Sequence, residues 1–125
     1  MSKVIIINGP NLNLLGEREQ TQYGSKDYKY LEVGYFHETL PAWIENHKGE
    51  PISFMHYDAG DYEASCFVMN LVCPMLEKGS VIVFDEFIPS PTELIASEYE
   101  AFVKYCKHDF EIISRSGSSV TLVIK

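Results

Sequence analysis

A chain of 125 residues, 46% hydrophobic and 22% charged, is long enough for one core and too short for two, and its composition is that of an ordinary globular protein. Its net charge of −8 repels phosphate backbones and anionic lipid surfaces alike, so no nucleic acid and no membrane is expected as a partner. No run approaches the ~20 apolar residues of a membrane span, the opening is too short for a signal peptide, and the expected location is cytoplasmic.

Residues 4–7 are a run of Val and Ile with no polar alternation, as expected for a central parallel strand covered on both faces. Residues 9–28, with Gly9, Pro10, Gly16 and Gly24 among many polar residues, read as a long loop with one helical turn around 12–15. A weaker strand is expected over 30–35. A short amphipathic helix over 39–47 ends at Gly49, which suits the left-handed position after a helix. Residues 52–57 are the next strand. A helix over 63–77 places Ala64, Val68, Leu71, Val72, Met75 and Leu76 on one stripe. Pro74, lacking a donor N–H, kinks or ends it near its last turn.

Residues 80–84 form another continuous apolar strand. Ser90, Pro91 and Glu93 then make a capped helix start. That helix carries Ile95, Phe102, Val103 and Cys106 inward, with Lys104 and Lys107 near its C-terminal dipole. Residues 110–114 and 120–124, joined through Ser116-Gly117-Ser118, form a terminal hairpin. Cys66, Cys73 and Cys106 show no C-x-x-C spacing and read as buried free thiols. His37, His47 and His108 read as solvated, and His56 as a core or rim histidine.

Strands alternating with helices give a single α/β domain over residues 1–125. The expected architecture is three-layer and Rossmann-like or flavodoxin-like, with a mostly parallel sheet closed by a C-terminal antiparallel hairpin. Right-handed crossovers line up the loops after residues 7, 57 and 84 along one carboxyl edge, where open α/β sheets hold small-molecule ligands. A short sheet also leaves an edge or face uncovered, so a homo-oligomer is expected.

The stretch Asn8-Gly-Pro-Asn-Leu-Asn-Leu-Leu-Gly-Glu-Arg-Glu-Gln-Thr-Gln-Tyr-Gly24 resembles the opening of type II 3-dehydroquinate dehydratases. Over residues 1–24 the resemblance implies a lid carrying Arg18 and Tyr23 and a fixed Asn11 near the sheet edge. A tyrosine of ordinary pKa is too weak a base at neutral pH, and a neighbouring guanidinium favours its phenolate. An amide donor can stabilise the developing enolate. The family's later asparagine loop and its acid histidine have no counterpart here: the corresponding stretches read Tyr57-Asp-Ala-Gly-Asp-Tyr-Glu-Ala-Ser65 and Val83-Phe-Asp-Glu-Phe87.

Residues 34–125 are similar to the C-terminal half of the macrocin O-methyltransferase family, through Gly34-Tyr-Phe-His-Glu-Thr-Leu-Pro41, Phe54-Met-His-Tyr-Asp-Ala-Gly-Asp-Tyr62 and Gly79-Ser-Val-Ile-Val-Phe-Asp-Glu-Phe87. That resemblance implies a weak Mg²⁺ site on Asp58, Asp85 and Glu86. Asp58 would help to deprotonate an acceptor hydroxyl, since a metal lowers the pKa of an oxygen it binds. The alternative is that these acids cap helices and loops. After residue 7 the chain reads Asn8-Gly9-Pro10 rather than G-x-G, so S-adenosylmethionine is expected to bind weakly or not at all.

The two resemblances meet between Tyr23 and Gly34, so the chain reads as a hybrid. Three functions follow. The first is a reduced domain related to metal-dependent S-adenosylmethionine O-methyltransferases. The second is a dehydroquinate dehydratase-like lyase using Tyr23 and Arg18. The third is a non-catalytic scaffold or binding module.

Overall fold

Runs rich in Val, Ile, Phe and Tyr pair into one sheet: β1 (Lys3–Asn8), β2 (Ile52–Asp58), β3 (Leu76–Phe84), β4 (Phe110–Ser116) and β5 (Ser119–Ile124). They belong to a computed structural model that describes residues 3–8, 35–59, 61–88 and 97–125. The order across the sheet is β1-β2-β3-β5-β4. β1–β2 and β2–β3 pair in parallel, β3–β5 and β5–β4 antiparallel. β4 therefore points the same way as β1, β2 and β3, and β5 alone runs against them. The mostly parallel sheet with a closing hairpin is as the sequence led us to expect.

The place of β1 in the sheet differs from expectation. Among the described residues β1 has a single strand neighbour, so it ends the sheet rather than running through its centre. Ile6 is 50% exposed between buried Ile5 and Ile7. A β-branched run reports an affinity for covered faces, and it carries no information on how many strands flank it.

Three helices fill the crossovers: α1 (Phe36–Asn46), α2 (Tyr62–Val72) and α3 (Ser97–Tyr105). The connections β1→β2, β2→β3 and β3→β4 all advance in one direction, so right-handed crossovers put the three helices on one face. α2 accordingly packs against both α1 and α3. This supplies one of the helical layers of a three-layer fold. The opposite face carries the row Ile6, His56, Val83 and Thr121 across four strands.

α1 begins at Phe36, a turn earlier than residue 39, because Tyr35 is already extended and accepts the first backbone N–H groups, with the Thr39 hydroxyl adding a bond of 3.2 Å. The strand expected over 30–35 falls on residues of which only Tyr35 is described. At the other end His47 is not solvated. Its ring stacks on Trp43 at 4.3 Å and its Nδ1 lies 2.7 Å from the Trp43 carbonyl. Gly49 takes φ 83°, the left-handed value expected of it.

α2 starts at the Asp61 cap, whose carboxylate accepts the Ala64 N–H at 2.8 Å. It buries Ser65, Val68, Met69 and Val72. The helix stops at Val72, well short of residue 77. Cys73–Met75 tighten into a 3₁₀ turn with Pro74 at its start, and β3 begins at Leu76. Proline's missing N–H ends the helix instead of merely kinking it. α3 buries Glu98, Ala101 and Phe102, whereas Val103, expected inward, is 41% exposed. The helix start at 90–93 and Ile95 lie outside the described residues.

The core lies between sheet and helices. Phe84 is its centre: its ring meets Tyr57, Phe87 and Phe102 at centroid distances of 5.9, 4.8 and 5.3 Å. Two buried polar pairs are satisfied. Tyr57 Oη and Ser65 Oγ are 2.8 Å apart, and the Ser80 hydroxyl donates to the Ile52 carbonyl at 2.6 Å while accepting the Glu77 N–H at 2.9 Å. Tyr57→Phe alone leaves a fully buried Ser65 hydroxyl without a partner and should cost about 1–3 kcal/mol in urea unfolding. Tyr57→Phe with Ser65→Ala removes both partners and should cost less than Tyr57→Phe alone. Equal costs would show that the hydroxyl pair carries no stability.

Candidate functional site

Parallel strands in register end together, and β1, β2 and β3 end at the same edge. Asn8 pairs with Asp58 and Tyr57 with Phe84, and the Asp85 N–H donates to the Tyr57 carbonyl at 3.1 Å. Asp58 and Asp85 therefore leave adjacent strands side by side. Partial burial raises the Asp58 carboxyl, the Asp85 charge raises it further, and His56 opposes both. The Ser119 hydroxyl of β5 lies 3.0 Å from the Asp85 carbonyl and 3.5 Å from its carboxylate.

Glu86 goes elsewhere. Asp85 and Glu86 lie in the bend that follows β3 rather than in the strand itself. The Glu86 side chain is exposed, and its N–H donates to Oε1 of Glu98 at 2.8 Å. Among the described residues no three His, Cys, Asp or Glu side chains are close enough to hold a metal ion. The expected convergence of Asp58, Asp85 and Glu86 on Mg²⁺ is thus not formed. Asp61, beside them in sequence, is a helix cap. Asn11, Arg18 and Tyr23 lie outside the described residues.

The structure adds a residue that the sequence reading missed. Glu98, in the first turn of α3, is 1% exposed, and its Oε2 is buried without a hydrogen-bond partner among the described residues. Burial pushes its carboxyl up to about 7, the Glu86 N–H pulls it down, and the charges of Glu86, Asp58 and Asp85 push it up again. A signal was present: Glu98, Ala101, Phe102 and Tyr105 fall at i, i+3, i+4 and i+7, so Glu98 shares the buried stripe of α3. Tyr57, beneath the same edge, is pushed up by burial, and the Glu98 charge adds to this. It stays a neutral hydroxyl. The edge is thus an acidic rim over a buried carboxyl that is ready to accept or share a proton.

The family model for class II dehydroquinase matches residues 2–72. The chain belongs to the class II dehydroquinase family. The match continues past the 1–24 segment through α1 and β2 to the end of α2. A 3-dehydroquinate dehydratase of Caldicellulosiruptor bescii is 45% identical over 65 residues, covering 45% of this chain and 43% of the relative. One of Bacillus pumilus is 37% identical over 73 residues, covering 54% and 50%. The dehydroquinase match thus spans about half the length of these curated relatives or less. In three dimensions the chain is similar to a TDP-rhamnose 3′-O-methyltransferase of calicheamicin biosynthesis. That likeness has a TM-score of 0.59 and 24% identity, and covers 74% of this chain and 40% of the other. It shows a shared Rossmann-like fold. Asp58 lies inside the dehydroquinase segment; Asp85, Glu86 and Glu98 lie beyond it.

The Glu98 carboxyl moves from an ordinary 4.5 to about 7 on folding, so the folded state holds the proton more tightly. Its contribution to stability is complete below pH 4.5 and is lost as pH rises through 7. Each pH unit between the two values is worth about 1.4 kcal/mol. Unfolding midpoints measured between pH 5 and 8 should fall with pH, with Asp58 acting in the same direction. Glu98→Gln should flatten most of that slope. An unchanged slope in the variant would place the titration elsewhere.

Proposed function

We propose that the chain is a small-molecule-binding domain whose carboxyl edge takes a neutral or cationic ligand rich in hydrogen-bond donors, and that it does not dehydrate dehydroquinate. The observation that carries this reading is Glu98, a buried carboxyl with one oxygen that no described residue partners, behind the paired Asp58 and Asp85. An unpartnered buried acceptor costs free energy until a donor reaches it. A hydroxyl or ammonium group does so; the carboxylate of a cyclic hydroxy acid meets repulsion from three neighbouring acids.

Family membership supports a dehydroquinase ancestry for the first half, and Tyr23, Arg18 and Asn11 are present in the sequence as base, guanidinium partner and amide. After β3, however, the chain reads Asp85-Glu86-Phe87, with no histidine to act as acid. Losing a positioned acid typically costs about 10²–10⁴-fold. A cationic sulfonium suits the charge of the edge, which favours the methyltransferase-related reading. S-adenosylmethionine nevertheless lacks a glycine loop here, so it should bind a single chain weakly. A cytoplasmic location goes with this reading. Self-association through the open sheet face does so too, and a monomer in sedimentation at high concentration would count against that part.

The test is a thermal-shift panel with rhamnose as a neutral polyol, S-adenosylmethionine and dehydroquinate, run beside an assay of enone absorbance. A ligand at 100 times its dissociation constant stabilises by about 2.7 kcal/mol. The expected result is stabilisation by the polyol, reduced in Glu98→Gln, and no enone. Robust enone formation abolished by Tyr23→Phe would overturn the proposal and make the chain a lyase.

A further inference from the structure

One peptide unit at the end of β3 joins the rim acids to the acid beneath them. The N–H of the Asp85–Glu86 peptide donates to Oε1 of Glu98 at 2.8 Å, and its carbonyl accepts the Ser119 hydroxyl at 3.0 Å. Asp85 is thereby held from α3 on one side and β5 on the other. Asp58 leaves β2 beside it, since Tyr57 pairs with Phe84 and the Tyr57 carbonyl accepts the Asp85 N–H at 3.1 Å. Both aspartates are part-exposed, whereas Glu98 is buried and its Oε2 has no partner among the described residues. The ion pairs among the described residues are His37–Glu38 and Lys125–Glu111, so no described lysine or arginine neutralises Asp58, Asp85, Glu86 or Glu98. The charge of His56, two residues back on β2, acts on Asp58.

We propose that the ligand of this edge carries an organic primary ammonium, seated between Asp58 and Asp85 with Glu98 as the buried counter-charge behind them. The inference rests on the reading of the edge as a binding site and names the charged group recognised there. Spacing selects the cation. Two acceptors that each sit about 2.8 Å from a tetrahedral nitrogen stand about 4.6 Å apart, close to the ~4.8 Å between neighbouring strands. Two oxygens in one Mg²⁺ shell, at about 2.1 Å, stand only about 3.0 Å apart. Among the described residues no three His, Cys, Asp or Glu side chains come close enough to hold a metal ion. A hydroxyl supplies a hydrogen bond and leaves the mutual repulsion of the carboxyls in place. An ammonium supplies the bonds and removes the repulsion.

Glu98 makes this binding proton-linked. Burial pushes its carboxyl up to about 7 against the pull of the Glu86 N–H, and the charges of Glu86, Asp58 and Asp85 add to the rise. The groups that face it are thus Asp58 on β2 and Asp85 and Glu86 after β3, with Tyr57 of β2 beside them. Asp61 and Cys66 of α2 reach the same buried place through Tyr57. All are acids or neutral hydroxyls and thiols, so none competes with a cation. An ammonium at the rim reverses the local charge that keeps the proton on Glu98. The O–H bond then breaks, the proton leaves to water, and a carboxylate faces the cation. Affinity should rise with pH by up to about tenfold per unit below 7 and level off above it. Asp58, raised as well, acts in the same direction.

The test titrates the intact protein by calorimetry, at constant ionic strength, with 6-amino-6-deoxyglucose, glucose and choline. The amino sugar should bind at least about tenfold more tightly than glucose, which shares its ring but not its charge. It should exceed choline, a cation with no N–H to donate, by a similar factor. Heats compared in two buffers of different ionisation enthalpy should show close to one proton released at pH 6 and little at pH 8. Asp58→Asn should weaken the amino sugar about tenfold, and Glu98→Gln should abolish the proton release, with circular dichroism confirming that both are folded. Should Glu98→Gln not fold, the proton count of the parent protein still decides. Glucose binding as tightly as the amino sugar would overturn the inference and leave the edge a polyol site. Choline matching the amino sugar, or amine binding without proton release at pH 6, would overturn it as well. No binding by any of the three would overturn it together with the reading on which it rests.

Discussion

Sheet and helical layer meet at Phe84. Its ring closes β3 and touches one ring of the neighbouring strand, one of the loop that follows and one of α3. Phe102 passes the contact on to Phe110 of β4 at 5.2 Å, so four elements share one aromatic seam. Offset and edge-on rings add about 0.5–1.5 kcal/mol per pair to the area they bury. The seam also fixes the height at which α3 meets the sheet, and with it the depth of Glu98. The carboxyl edge owes its chemistry to that packing.

The site is a case of one set of contacts serving two ends. Tyr57 is buried because the seam needs its ring, and its hydroxyl is spent on Ser65. Glu98 is buried by the helix that carries Phe102, and among the described residues only one of its oxygens finds a donor. The first arrangement is complete within the fold; the second is not. A buried acceptor left half satisfied beside other acids marks the place where a ligand adds most.

Much of the fold could be read from residue patterns. The β2 and β3 runs, the Gly49 turn and the Gly117 hairpin lie where local chemistry put them. The errors arose where tertiary constraints override local ones. α2 stops at Val72 rather than 77, because β3 begins just after the Pro74 turn and draws Leu76 into the sheet. Val103 was assigned inward from its hydrophobicity, while the stripe that is buried runs through Glu98, Ala101 and Phe102. The paired acids after β2 and β3 were legible as neighbours. That Asp85 and Glu86 diverge follows from the bend after β3, where the Glu86 N–H is drawn to Glu98, a tertiary contact.

The strand order has a consequence for assembly. β5 comes last in sequence yet lies between β3 and β4, so β4 has no place in the sheet until β5 arrives. Three core side chains, Val120, Leu122 and Ile124, come with it. During folding, β1–β3 can pair as a nearest-neighbour series, while α3 and β4 must wait above a gap for the chain to return antiparallel. The interval exposes the flank of β3, and with it the Phe84 seam, to any other extended segment. β4 and β5, joined at Gly117, thus reach the sheet as one hairpin that docks on the flank of β3 through β5.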